Sequence, residues 1–247
     1  MGFYEDFAAG YDRLFPADPE TVGFLQREMG PAPAPIADFA CGTGGYALAL
    51  AEAGFTVTGI DLSEAMIAAA RTKAGNRPGL RFLAADMSRV EPDELYHGWY
   101  CIGNSLVHLG GPEEITATLN SWKRWQGPGG RWVIQIINYD RILDRQITAL
   151  PTLRDGDAEL VREYATVSER LVLFKTRLTW AGKSFDNEVP LYPLRRAEAL
   201  RLLEKAGLKV TDEYGEFDRS PWSPESFAYV AVGTRREDGR SSRNRKP

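Results

Sequence analysis

Asp38-Phe39-Ala40-Cys41-Gly42-Thr43-Gly44-Gly45, read together with Asp61, is the stretch from which the fold follows. An apolar strand, Pro35 to Phe39, runs into three glycines. A helix then begins, and a second strand ends in an acid nineteen residues after Gly42. Glycines let the backbone approach a ligand closely, helix N–H groups point at it, and a carboxylate at the next strand tip can accept from ribose hydroxyls. The pattern is a nucleotide clamp. Gly42-Thr43-Gly44-Gly45-Tyr46-Ala47 also satisfies Gly-x-Gly-x-x-Gly/Ala, so a nicotinamide-dependent oxidoreductase stands as an alternative at this point.

Outward from the clamp the chain alternates strand and helix, the pattern of a parallel sheet covered on both faces. Strands are expected at 36–39, 56–60, 80–84, 99–102 and 131–137, with helices at 46–53 and 64–74. Ser63 caps the second helix and Gly75 stops it. Pro112, Glu113 and Glu114 open another, in which Ile115, Leu119 and Trp122 share a face. Polar residues follow the strand ends: Asp38, Asp61, Asp86, Asn104 and Asn138 are expected to converge on one crevice at the carboxyl edge of the sheet.

The alternation then breaks. At 160–167 and 171–180, Val172, Phe174, Leu178 and Trp180 alternate with Lys175, Arg177 and Thr179, which indicates strands with one wet face. A helix at 195–206 and strands at 209–214 and 227–232 close the pattern. The expected fold is a doubly wound α/β protein, with a mostly parallel seven-stranded sheet and an antiparallel β insertion after strand five. The division is an N-terminal aromatic helical lid at 1–30, a cofactor domain at 31–149 and 193–235, the insertion at 150–192, and a disordered basic tail at 236–247. In the first segment, Phe3, Tyr4, Phe7, Tyr11, Leu14 and Phe15 either pack one helix on the domain or form a lid whose Tyr4 or Tyr11 reaches the ligand.

Composition sets the class. With 43% hydrophobic and 26% charged residues the chain can bury a full core, and a formal charge of −4 argues against a nucleic-acid binder. Cys41 and Cys101 suit free thiols, and no long apolar run or signal segment appears, so the expected location is cytoplasmic, away from membranes. His97 and His108 have no cysteine partners at ligand spacing, so no metal is expected.

The clamp resembles the first motif of class I S-adenosylmethionine-dependent methyltransferases, with Asp61 as the ribose acid and Ala85-Asp86-Met87 as the adenine-edge motif. Two longer segments, Cys101 to Leu109 and Asn138-Tyr139-Asp140-Arg141-Ile142-Leu143, are similar to the glycine N-methyltransferase group, as is Tyr192-Pro193. The resemblance implies S-adenosylmethionine as cofactor, S-adenosylhomocysteine as product, and a small-molecule acceptor. It assigns cofactor contacts to Asp38, Ala40, Gly42, Gly44, Asp61, Leu62, Met66, Asp86, Met87, Asn104, Ser105 and His108. Asn104, His108, Tyr139 and Tyr192, with Tyr11 from the lid, fall at the transfer site. The family places an arginine just before its Asn-Tyr-Asp. Here Ile137 stands there, which disfavours glycine itself unless Arg162, Arg170 or Arg177 of the insertion substitutes.

Several roles stay open on the residues alone. Asp38 either meets the cofactor amine or organises the turn. His108 is either a general base or a structural histidine. Tyr139 and Tyr192 either line the site or serve as half-buried packing. The resemblance favours an amine acceptor, while the clamp itself does not choose among N-, O- and S-methylation. A cofactor-binding regulatory domain without turnover is the remaining class.

Overall fold

The computed structural model describes residues 10–236. In chain order, α1 (Tyr11–Leu14) and α2 (Pro19–Met29) lead into β1 (Pro35–Phe39), α3 (Gly45–Glu52), β2 (Thr56–Asp61), α4 (Glu64–Ala74) and β3 (Leu80–Ala84). Then come β4 (Tyr96–Cys101), α5 (Pro112–Trp125), β5 (Gln126–Ile137) and the short α6 (Tyr139–Arg145). Four strands follow without a helix: β6 (Ala149–Asp155), β7 (Ala158–Val167), β8 (Val172–Trp180) and β9 (Lys183–Leu191). Finally α7 (Arg196–Lys205), β10 (Leu208–Tyr214) and β11 (Ala228–Arg235) return to the main body.

The main sheet has seven strands in the order β10-β11-β5-β4-β1-β2-β3, and β11 runs antiparallel to both of its neighbours. The remaining pairings, β1 with β2 and β4, β2 with β3, and β4 with β5, are parallel. Strand alternation sends residues to two buried layers, as a parallel sheet covered on both sides requires. Phe39, Trp99, Trp132 and Ile134 pack with Trp122 and Trp125 of α5 on one face. Ile36, Tyr100 and Val133 pack with Phe24 of α2 and Ile67 of α4 on the other. Phe39 stacks on Trp122 with ring centroids 4.3 Å apart, which locks α5 against the centre of the sheet.

The second sheet, β6-β7-β8-β9, is antiparallel throughout. It occupies the expected insertion but has four strands where the sequence suggests two. The expected single helix over the N-terminal region is also corrected: α1 ends at Leu14, and α2 starts afresh at Pro19, capped by Asp18, whose carboxylate accepts from the Thr21 N–H at 2.8 Å. β4 and β5 begin earlier than expected, at Tyr96 and Gln126. Phe3, Tyr4, Phe7 and the basic tail beyond Arg236 lie outside the described residues. Among the described residues, no helix is long and apolar enough to cross a membrane.

Candidate active site

The glycine turn leaves β1 through Ala40 at φ 62° and Gly42 at φ 55°, then enters α3 from Gly44 at φ 74°. The left-handed backbone at Gly42 and Gly44 is what glycine permits, whereas Ala40 holds it under strain, a common feature of ligand-binding turns. Gly44 has a second reason to lack a side chain: a Cβ there would meet the Phe82 ring at 2.7 Å.

Asp61 closes the turn from the next strand. One carboxylate oxygen accepts from the Gly42 N–H at 2.8 Å and the other from the Ser63 N–H at 2.9 Å. Burial raises its pKa, and these two backbone donors act against the rise. The adjacent Leu62 is 75% exposed, an apolar side chain left open beside a polar turn. Met66 is instead buried, packed with Leu14 of α1 and with Leu160 and Leu178 of the second sheet. Asp38 lies under the turn, 3% exposed, and burial pushes its carboxyl up to about 8, with a further push from the Asp61 charge and an opposing pull from the Tyr100 hydroxyl. At neutral pH it is mostly protonated and brings no full charge to the crevice.

At the tip of β3, Asp86 is tied into its own turn, accepting from the N–H and hydroxyl of Ser88 at 2.8 and 2.7 Å, which holds its pKa down. The Met87 carbonyl accepts from the Trp122 indole N–H at 2.8 Å, so the stacked core reaches directly to this tip.

The β4 tip carries Gly103 and Asn104, both left-handed, and the Gly103 N–H donates to Gln135 Oε1 at 2.7 Å. Asn104 bridges to the β5 tip: its amide oxygen accepts from the Ile137 N–H at 3.0 Å, and its Nδ2 donates to the Tyr139 hydroxyl at 3.1 Å. Tyr139 is buried, and desolvation holds its phenol far above the usual tyrosine range. Ser105 turns inward to the Ile102 carbonyl. His108 ends a short 3-10 turn with its side chain at the surface, and the partial loss of solvent around the ring lowers its pKa.

Two expected positions are engaged by other elements. Asn138 is buried and structural: its Nδ2 donates to the carbonyls of Ser223, Pro224 and Ser226, and its Oδ1 caps α6 at the Arg141 N–H. It therefore does not join Asp61 and Asn104 at the crevice. Tyr192 gives its hydroxyl to Glu198 on α7 at 2.8 Å, and its own pKa is pushed up to about 12, first by burial.

The N-terminal segment straps the turn from outside. The Tyr11 ring lies against Gly42, where an added Cβ would stand 3.6 Å from it. Asp12 accepts from the buried Thr43 hydroxyl at 2.6 Å and pairs with Lys73 of α4 at 2.5 Å. Arg13 reaches Asp155 and Asp157 of the second sheet. Asp12, Thr43 and Gln135 have no sequence signal as site residues, because their partners lie 31 or 32 positions away.

A family model described as a methyltransferase domain matches residues 36–130, the clamp and the strands around it. The chain is 30% identical over 211 residues to a glycine/sarcosine N-methyltransferase of Halorhodospira halochloris, covering 82% of this chain and 76% of that protein. The chain belongs to the class I S-adenosylmethionine-dependent methyltransferases, near the glycine N-methyltransferase group. It is also 30% identical over 203 residues to a glycine/sarcosine/dimethylglycine N-methyltransferase of Actinopolyspora halophila, spanning only 35% of that longer protein. A solved S-adenosylmethionine-dependent methyltransferase from Clostridium acetobutylicum shares the fold at a TM-score of 0.81 and 19% identity, over 94% of this chain and 99% of that one. This methyltransferase is thus an enzyme that takes S-adenosylmethionine as cofactor, and the nicotinamide reading falls. Its turn fits the group: left-handed glycines open the backbone, Asp61 offers a carboxylate at the strand tip, and Leu62 stands exposed beside it.

Proposed function

We propose that this methyltransferase N-methylates a small amine in the cytoplasm, by direct in-line displacement at the Asn104–Tyr139 pair, with the clamp residues Gly42, Gly44 and Asp61 holding the cofactor. S-adenosylmethionine supplies a methyl group made electrophilic by a sulfonium. The protein's part is to bring a neutral nitrogen up to that methyl and keep water out, and positioning of this kind is worth ~7–11 kcal/mol.

The observation that carries the reading is the buried Tyr139 hydroxyl. Its proton is held far above the usual range, so it cannot act as a base, yet its oxygen can accept from an incoming N–H. A phenol or thiol must give up its proton to a base close to the methyl. An amine needs only to arrive neutral, with its lone pair directed at carbon. For an alkylamine near the lysine reference, deprotonation at pH 7 costs roughly 4–5 kcal/mol, and desolvation in the crevice offsets part of this by disfavouring the ammonium. His108, on the loop that follows β4 and shifted toward its neutral form, is our candidate to take the proton released afterwards. The N-methyltransferase names of the two relatives support the same choice of atom.

Transfer of labelled methyl from S-adenosylmethionine to a panel of small amines, amino acids, phenols and thiols tests the reading. Label is expected on amine nitrogen. Label found only on oxygen or sulfur would overturn it.

A further inference from the structure

β4 and β5 run as a parallel pair up to Cys101 opposite Ile134, and there the pairing stops. β5 continues against β11 as far as Ile137 opposite Ala228. β4 instead ends, and the chain turns away through two consecutive left-handed residues, Gly103 at φ 76° and Asn104 at φ 66°. Past Cys101 the ladder offers no acceptor to the Gly103 and Ile137 N–H groups, and each needs one. Two side chains supply them crosswise. Gln135 Oε1, on β5, accepts from the Gly103 N–H at 2.7 Å, and Asn104 Oδ1, beyond β4, accepts from the Ile137 N–H at 3.0 Å. Side chains thus replace the backbone rungs where the two strands part.

The two replacements are not equivalent. Ile137 is buried, so its N–H depends on Asn104, and that commits the Asn104 amide to one orientation. With Oδ1 on Ile137, Nδ2 is the group left to meet the Tyr139 hydroxyl, as it does at 3.1 Å. A non-glycine residue stays left-handed only where its surroundings over-determine it. The Asn104 side chain fixes its outer end; the peptide that leads into it must be fixed as well. Gly103 cannot do this by packing, because a Cβ there would meet nothing within 4 Å. The Gln135 bond is its tether. The cofactor turn is built the same way: Asp61, at the tip of β2, accepts from the N–H of left-handed Gly42 beyond β1 at 2.8 Å. In both places the neighbouring strand braces a glycine that packing leaves loose.

We propose that Gln135 is a positioning residue for methyl transfer: its side-chain carbonyl sets the Gly103–Asn104 tip and, through it, the amide that holds the Tyr139 hydroxyl. This rests on the reading of the Asn104–Tyr139 pair as the transfer site. Gln135 acts at one remove, through Gly103 and Asn104. Its loss would free the Gly103 peptide to leave the left-handed region, and Asn104 would then leave Ile137 and Tyr139 together, since one amide serves both. In-line displacement is sensitive to such a shift, for a misplacement of about 1 Å can cost on the order of 100-fold in rate.

The test is amide hydrogen exchange, read by NMR on S-adenosylhomocysteine-loaded protein, in Gln135→Leu, which removes the acceptor, and Gln135→Glu, which keeps one. In Gln135→Leu the Ile137 N–H is expected to exchange about ten-fold faster or more, although its own acceptor is Asn104, while the β1 and β2 amides keep their parent rates as the check on folding. Gln135→Glu should restore the Ile137 rate. Methyl transfer to whichever panel compound takes most label should fall by about ten-fold or more in kcat in Gln135→Leu, with KM for that compound within about three-fold, and recover in Gln135→Glu. An unchanged Ile137 rate in Gln135→Leu, a loss that Gln135→Glu does not repair, or a raised KM with kcat intact would overturn the positioning role. Label on oxygen or sulfur alone would sink the amine reading and leave this role standing.

Discussion

Asp61 holds the glycine turn from the tip of β2, its carboxylate accepting from the Gly42 and Ser63 N–H groups where the cofactor site is proposed. Asp61→Ala is therefore expected to weaken S-adenosylhomocysteine binding by about 1–3 kcal/mol, the range for lost hydrogen bonds to a carboxylate. Titration calorimetry measures this, and unchanged affinity would remove the turn from the cofactor site. Asp38 makes a different kind of claim. Its folded-state pKa, about 8, lies above the unfolded value, so the folded protein keeps a proton that the unfolded chain releases. The contribution to stability is whole below about pH 4 and is lost as pH rises toward 8. Asp38→Asn, which cannot ionise, should thus gain in melting temperature relative to the parent as pH goes from 5 to 8, by ~2–4 °C for each kcal/mol. Parallel melting curves across that range would show that Asp38 ionises freely. Both acids are legible in the sequence as strand-end residues, but their burial, which pushes both carboxyls up, is not, because it is set by what packs above them.

At the scale of elements, α5 couples the core to the site. Trp122 stacks on Phe39 and donates its indole N–H to the Met87 carbonyl beside Asp86. Trp122→Phe keeps a ring against Phe39 and loses the hydrogen bond, a cost of about 0.5–1.5 kcal/mol. Trp122→Ala removes the ring as well and should cost about 3–5 kcal/mol. Chemical denaturation distinguishes the two, and equal losses would mean that the bond to Met87, and not the stack, carries the contact. The elements that sequence reading finds are those with clear boundary signals: β1 runs into the glycine turn, β2 ends at Asp61, and α4 and α5 open on Ser63 and Pro112. β6 and β9 escape it for a physical reason. They are the two edges of the inserted sheet, where Pro151 and Pro190 are tolerated and charges such as Arg154, Asp186 and Glu188 suit the wet side. α6 escapes because seven residues hold too few turns to display a helical period. Asn138, expected at the crevice from its place at a strand end, instead caps this helix.

Across the whole molecule, charge is divided between the two ends of the parallel sheet. At the carboxyl end Asp61 is half-buried beside the glycine turn. At the amino end Glu28, 4% exposed at the close of α2, is clamped between Arg131 at 2.6 Å on β5 and Arg219 on the β10–β11 connection. Arg131 pairs in register with Gly98 near the start of β4, which places this clamp at the edge opposite the glycine turn. Removing one member of a buried ion pair leaves its partners uncompensated, typically at ~3–5 kcal/mol. Both arginines here keep some solvent, so Glu28→Ala should fall just below that range, at about 2–3 kcal/mol, or roughly 4–12 °C in melting temperature. S-adenosylhomocysteine affinity of the folded Glu28→Ala protein should not change, since no part of the clamp reaches the carboxyl edge. Asp61→Ala should instead lose affinity, together with some melting temperature, because it also frees the Gly42 and Ser63 N–H groups. Paired calorimetry and thermal melts on both variants test the division directly: a Glu28→Ala protein that folds but binds S-adenosylhomocysteine ten-fold more weakly would show that the two ends are coupled through the sheet.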